Sequence, residues 1–376
     1  MLENSMNLRN SISRLCCLGG ILAIVLVQNV RAQTVEPTCG VGDCCNTGCD
    51  NCTGCDNGTG CDDCNDCTDW DCQTAGGFYA GVEATLLWAD INGSPSQVGT
   101  FDPFGAPVSV HSSAYSDVGD GMTASPRLWL GYQGSGCWGV VGRYFDYRST
   151  AMTLDPFAGP LDTLGLMSNN KLRAYNMDIE ATRLFDRGCW SGNVSLGVRH
   201  ASLNSTSSIS SNSVVGTDLV SGIAMTDRQF NGTGLTFGFL GRRPIGCSGA
   251  NFFINARGSM LWGNSAASAE AATSILTPLG AASDFQFAAA GNDEGELFIG
   301  EIQAGVEWEY ELQCAPATAF LRLAGEFQYW EGDHGLNASA VSTSFAVPGA
   351  TVVSAATAGD QQLDLFGVSL AAGISY

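Results

Sequence analysis

Lysine is almost missing from this 376-residue chain: Lys171 is the only one, and 16 cations face 37 acidic residues, a formal charge of −21. That sign disfavours binding to nucleic acid or to anionic lipid through overall charge. Charged residues of either sign make up only 14% of the chain, and there are three histidines. Beyond the N-terminal segment no run reaches 18 apolar residues, which removes any candidate transmembrane helix. Proline is sparse at 11 and glycine abundant at 48, while 45% of residues are hydrophobic. The chain is therefore too apolar for disorder and too rich in glycine for a helical bundle.

Cysteine, by contrast, is plentiful at 16, which points to an oxidising compartment or to metal. Residues 1–32 supply the route. Arg9 and Arg14 precede an almost wholly apolar run from Leu15 to Val27, and Val30-Arg31-Ala32 precedes Gln33. This reads as a secretory signal cleaved after Ala32. Cys16 and Cys17 stand at the start of the apolar stretch rather than at the cleavage site, which argues against a lipoprotein anchor.

Residues 33–76 form a second region that cannot bury a core. Cys39, Cys44, Cys45, Cys49, Cys52, Cys55, Cys61, Cys64, Cys67 and Cys72 alternate there with Asp, Gly, Asn and Thr. Repeated Cys-x-x-Cys spacing suits either disulfides or Zn²⁺. An exported chain meets oxidants before metal, so disulfides are the expectation and no metal site is assigned. The pairing cannot be read from spacing.

From residue 77 onward apolar residues recur on one parity. Phe78, Ala80, Val82, Ala84, Leu86 and Trp88 alternate with Tyr79, Gly81, Glu83 and Thr85, and the chain closes on Phe366, Val368, Leu370, Ala372, Ile374 and Tyr376. Period two is that of a β-strand. Ten such segments are separated alternately by short turns and by stretches near 91–123, 149–170, 202–232, 263–295 and 331–361 that read as long loops. The pattern predicts an all-β chain: a transmembrane up-and-down antiparallel β-barrel of about ten strands over residues 77–376, preceded by the Cys-rich periplasmic tail. An even strand number puts both termini in the periplasm, and outer-membrane lipid becomes the principal partner. Trp138, Trp190, Phe252 and Tyr310 near the turns, and Trp88, Tyr144, Trp262, Phe298 and Tyr329 near the loops, fit two interfacial girdles. Cys137, Cys189, Cys247 and Cys314 fall in or beside the four short turns. They could cross-link with the tail, with each other or with neighbouring molecules, including other envelope proteins.

Arg127-Leu128-Trp129-Leu130-Gly131-Tyr132, followed by Gly139-Val140-Val141-Gly142-Arg143-Tyr144-Phe145-Asp146, resembles the second hairpin of the Legionella major outer-membrane-protein-like pore-forming family. Planctomycete-type members are the most similar. Asp178-Ile179-Glu180-Ala181-Thr182, Gly197-Val198-Arg199-His200 and Gly305-Val306-Glu307 extend the likeness. The resemblance implies a pore-forming outer-membrane barrel. The cysteine tail departs from the family pattern and is similar in style to disulfide-rich bacterial envelopes.

Opposite the apolar parity lie Glu83, Arg127, Arg143, Asp178, Glu180, Arg199, Arg257, Glu301, Glu307, Glu309, Arg322 and Glu326. These are the expected lumen lining. Ten strands leave little room around side chains this long. The expected function is passive passage of small solutes or ions through a narrow, net acidic lumen; a salt-bridged plug is the competing reading of the same residues. The alternative function is a structural envelope protein, anchored by the barrel and joined through periplasmic disulfides. His200, His334 and the adjacent Asp333 make no hydrolase constellation, so neither an enzyme nor a cofactor is expected.

Overall fold

The computed structural model describes residues 76–376 apart from 93–95, 102–106, 114–120, 156–162, 188–189, 216, 247–248, 278–281, 313–315, 333–336, 346–350 and 359–361. The signal sequence, nearly all of the Cys-rich region, and the side chains of His111 and His334 lie outside the described residues.

Ten strands close a barrel: β1 (Gly77–Asn92), β4 (Thr123–Gln133), β5 (Trp138–Asp155), β6 (Thr163–Arg187), β7 (Trp190–Val215), β8 (Asp218–Pro244), β9 (Ala250–Leu276), β10 (Ala282–Glu311), β11 (Thr318–Gly332) and β14 (Gln362–Ser375). Every pairing is antiparallel, and β1 pairs with both β4 and β14, which closes the ring. Closure removes the free edges that hydrocarbon could not satisfy. The expected ten-stranded up-and-down barrel is what the register shows.

Alternation along the strands has a physical direction. Val82, Leu130, Ile179, Leu196, Phe237, Leu323 and Leu370 point outward and are exposed, while Glu83, Arg127, Asp178, Arg199 and Glu326 point inward and are buried. An apolar outer belt with a polar interior is the arrangement a bilayer selects. Aromatic pairs edge that belt: Phe78 on Tyr132, Phe185 on Phe239 and Trp190 beside Phe252 at the turn side. Trp88 on Phe366, Tyr144 on Tyr175 and Phe298 on Tyr329 mark the loop side. In the β8–β9 turn Gly246 and Gly249 take φ of 60° and 67°, a left-handed backbone that other residues adopt at a cost.

Beyond the belt the structure departs from the sequence reading. Most of the stretches 202–232 and 263–295 is strand rather than loop: β7, β8 and β9 run for 26, 27 and 27 residues and β10 for 30. Each spans roughly 90 Å at about 3.3 Å per residue, whereas crossing the bilayer takes about 9–11 residues. Most of the stretch 149–170 likewise belongs to β5 and β6. The first and last expected loops contribute β2 (Ser96–Phe101), β3 (Pro107–Ser113), β12 (Ala338–Phe345) and β13 (Thr351–Ala358), which form a second sheet in the order β12-β13-β2-β3. That sheet lies on the inner face of the extended wall. Val98, Val352, Ala356 and Ala358 pack against Ile209, Val220, Ala224, Ala269 and Ile275 in one core. Thr273 bonds Ser342 at 2.8 Å and Ser344 at 2.7 Å across the two layers. Alanine and serine, which made these segments look like loops, let the two sheets approach closely.

Candidate functional site

The barrel interior contains a connected lattice of buried charge. Arg127 bridges Glu83 at 3.1 Å and binds Glu326, with Glu301 at 4.0 Å. Glu301 binds Arg199, which reaches Asp178 at 2.9 Å. Arg257 joins Asp178 at 3.3 Å and also binds Glu180, which in turn binds Arg143. Towards the turns a second group forms, in which Glu307 pairs with Arg322 and, at 2.7 Å, with Arg242. Ladder geometry explains the juxtapositions, since Glu83 faces Arg127, Asp178 faces Arg199, Glu301 faces Arg257 and Glu307 faces Arg322 directly across strands. Opposite charges at facing positions attract.

Six arginines and six carboxylates make up these pairs, so the paired lining is neutral. The expected acidic excess is thereby reduced to Glu309, outside the pairs. A charge taken out of water must be matched to remain ionised, and Arg242, near the end of β8 and not among the expected lumen residues, supplies the sixth cation. Glu309 faces the same interior at its turn-side mouth and is exposed. Arg199, Glu180 and Glu307 have no accessible surface, so no water-wide passage runs beside them.

Loopward of the lattice the same inner parity turns apolar. Leu87, Phe145, Tyr147, Leu172, Leu203, Phe230, Leu261, Leu297, Ile299, Trp330, Leu363 and Leu365 form one fully packed cluster across the barrel. Trp330 is the largest of them, wholly buried. Its indole N–H donates to Gln328 Oε1 at 3.0 Å, Gln328 Nε2 donates to Glu326 at 2.6 Å, and Glu326 holds Arg127. Gln303 Nε2 adds bonds to Glu83 at 2.7 Å and Glu326 at 2.9 Å. Stopper and lattice are thus linked by hydrogen bonds. Gln303 and Gln328 alternate with the apolar face in the sequence but were not among the expected lumen residues, and Trp330 was missed although its inner parity was the available signal.

All twelve lumen residues expected from the sequence lie on the inner face, and eleven of them belong to the two ion-pair groups. Among the turn cysteines Cys137 is described, beside the β4–β5 turn. Cys189, Cys247, Cys314 and the ten clustered cysteines lie outside the described residues. His200 faces outward, its Nδ1 3.0 Å from Thr233 Oγ1 and its ring against Tyr175. Among the described residues no group of three His, Cys, Asp or Glu could hold a metal ion.

No family model matches the chain, and no curated protein matches it. Among solved structures it is similar to the outer membrane protease OmpT of Escherichia coli, at 10% identity over 80% of this chain and 96% of that one, with a TM-score of 0.33. A Pseudomonas aeruginosa FadL homologue matches at 10% identity over 79% and 90%, with a TM-score of 0.28. The Pseudomonas putida toluene transporter TodX matches at 8% over 78% and 89%, with a TM-score of 0.17. The barrel assignment stands on this chain's own strand register.

Proposed function

We propose that the chain is a bacterial outer-membrane barrel of pore type that is closed at rest and passes small solutes or ions when the stopper and lattice move. The observation that carries this reading is the division of the interior into a polar half and a separable apolar stopper. A barrel serving only as an anchor gains nothing from buried ions, because an apolar filling of equal volume is as stable or more so. Opposed charges, by contrast, can part and admit water. The hydrogen-bonded relay from Trp330 through Gln328 and Glu326 to Arg127 supports a coupled movement. Because the paired lining is neutral, no cation preference belongs to the proposal. The termini lie in the periplasm and the second sheet at the cell surface in this reading, which agrees with the family resemblance and assigns no catalysis.

The second reading, an envelope protein tied through periplasmic disulfides, is favoured by the sealed interior and by the four cysteines in or beside the short turns. Liposome swelling in small sugars and amino acids separates the two. Proteoliposomes of the wild type swell slowly, and a variant thinned at both seals, Trp330→Ala and Leu87→Ala in the stopper with Arg199→Ser and Glu301→Ser in the lattice, swells at least several times faster. A correctly inserted variant carrying all four changes that swells no faster than the wild type would remove the pore reading and leave the structural one.

A further inference from the structure

The outer wall carries a feature that the interior does not explain. On β5 and β6 the guanidinium side chains of Arg148 and Arg173 stand directly across from each other, with Lys171 facing Thr150 one outward position further towards the loops. Like charges at facing positions are destabilising, and here both arginines turn towards a single carboxylate. Arg148 Nε donates to Asp146 Oδ2 at 2.9 Å and Arg173 Nε to Asp146 Oδ1 at 3.2 Å, while the Tyr144 hydroxyl donates to Asp146 Oδ2 at 3.4 Å. Asp146 is 8% exposed, yet the Arg148 and Arg173 side chains are 58% and 47% exposed. The carboxylate orients two forks that still present N–H groups outward, and two arginines share one anion, with Lys171 close by on the same outward face.

Position supplies the second argument. Arg173 lies two residues loopward of Tyr175, its guanidinium carbon 6.0 Å from that ring, and Tyr175 forms the loop-side girdle with Tyr144 and His200. Lipid headgroups lie at girdle height. Just below, towards the belt, Met177 and Ile179 are exposed and a Cβ at Gly142 would meet nothing closer than 3.8 Å, leaving a shallow apolar track. Elsewhere on the loop side the outward charges are acidic: Asp90 faces Asp364, with Glu331 and Glu296 on the neighbouring strands. The patch is a local reversal in a chain of charge −21.

We infer that Arg148, Arg173 and Lys171 form a docking site for the phosphate-bearing headgroup of an outer-leaflet lipid whose acyl chain follows the Gly142 track. Paired arginines suit this ligand because each guanidinium can meet two phosphate oxygens at once. The inference rests on the outer-membrane orientation proposed above, so insertion and lipid binding are measured separately.

The test uses the full chain refolded in zwitterionic detergent, with barrel formation scored by heat-modifiable migration. Retention of lipid A, phosphatidylcholine and inorganic phosphate is then measured by native mass spectrometry. The wild type is expected to retain lipid A in preference to phosphatidylcholine, and Arg148→Gln with Arg173→Gln to lose at least about tenfold in affinity while migrating as a folded barrel. Lys171→Gln loses less. Equal retention of lipid A by the wild type and the double variant would overturn the inference. So would inorganic phosphate binding as tightly as the lipid, which makes the patch a plain anion site. A salt-sensitive dimer lost in the double variant, without lipid preference, would assign the patch to the acidic side of a second copy. Failure of the wild type to insert in a bilayer counts against the outer-membrane reading instead.

Discussion

Arg199 offers the sharpest test of whether the interior is dry. Its side chain has no accessible surface and contacts Asp178 at 2.9 Å together with Glu301. Replacing it by leucine keeps some volume but leaves Glu301 with Arg127 at 4.0 Å as its remaining ion-pair partner, while Asp178 keeps Arg257 at 3.3 Å and Arg143 at 4.0 Å. Removing one member of a buried pair costs about 3–5 kcal/mol. Arg199→Leu should therefore lower barrel stability by about that amount, measured by urea titration in lipid vesicles with tryptophan fluorescence as the probe. The double variant Arg199→Leu with Glu301→Leu should cost clearly less than the sum of the two single changes, since neither charge is then stranded. A single variant within about 0.5 kcal/mol of the wild type is the value for an exposed pair. That result would mean the lattice is hydrated, and the closed-barrel account would fall.

Other perturbations address separate parts of the molecule. Trp330→Ala alone should cost about 3–5 kcal/mol by emptying a buried aromatic site, read from the same titration; an unchanged midpoint would place the indole outside a packed core. Ala269→Asp puts a charge between the two layers of the surface sandwich, so limited proteolysis should cut residues 96–113 and 338–358 faster while heat-modifiable migration of the barrel persists. Loss of the barrel itself would show that the second sheet is needed for closure. Gly246→Ala, at φ 60°, should destabilise by about 1–2 kcal/mol, and a neutral result would argue for a different turn. In the disulfide-linked reading, non-reducing electrophoresis of the exported protein shows oligomers that disappear with reductant and on deletion of residues 39–72; a monomer under both conditions excludes it.

The sequence made the transmembrane part legible because period two fixes which residues share a face. Glu83 and Arg127, or Glu307 and Arg322, could be placed inside from parity alone, and the aromatic ends of the apolar stripes located the belt. Parity says nothing about height, however, and that is where the reading stopped. On β1 the inner face passes from Glu83 and Thr85 to Leu87, Ala89 and Ile91 within a few residues, turning from charged lattice to apolar stopper. An outward apolar stripe was the criterion for a strand, and above the membrane that criterion inverts. There the wall is polar outside, as at Asn204, Asp227 and Asn264, and small or apolar inside, as at Ala224, Ala269 and Ile275. Ser- and Ala-rich strands of that kind are hard to tell from loops without the second sheet that covers them. Arg242 was missed because it sits at the strand end beside the turn, where only the pairing with Glu307 reveals its role.

Whether the barrel is sealed at rest is read by single-channel recording of the wild-type chain in a planar bilayer. A quiet membrane at low voltage is expected after insertion has been verified, with steps emerging once stopper and lattice are both thinned by replacing Trp330 and Leu87 with alanine and Arg199 and Glu301 with serine. A steady ohmic conductance from the wild type at low voltage would contradict the seal.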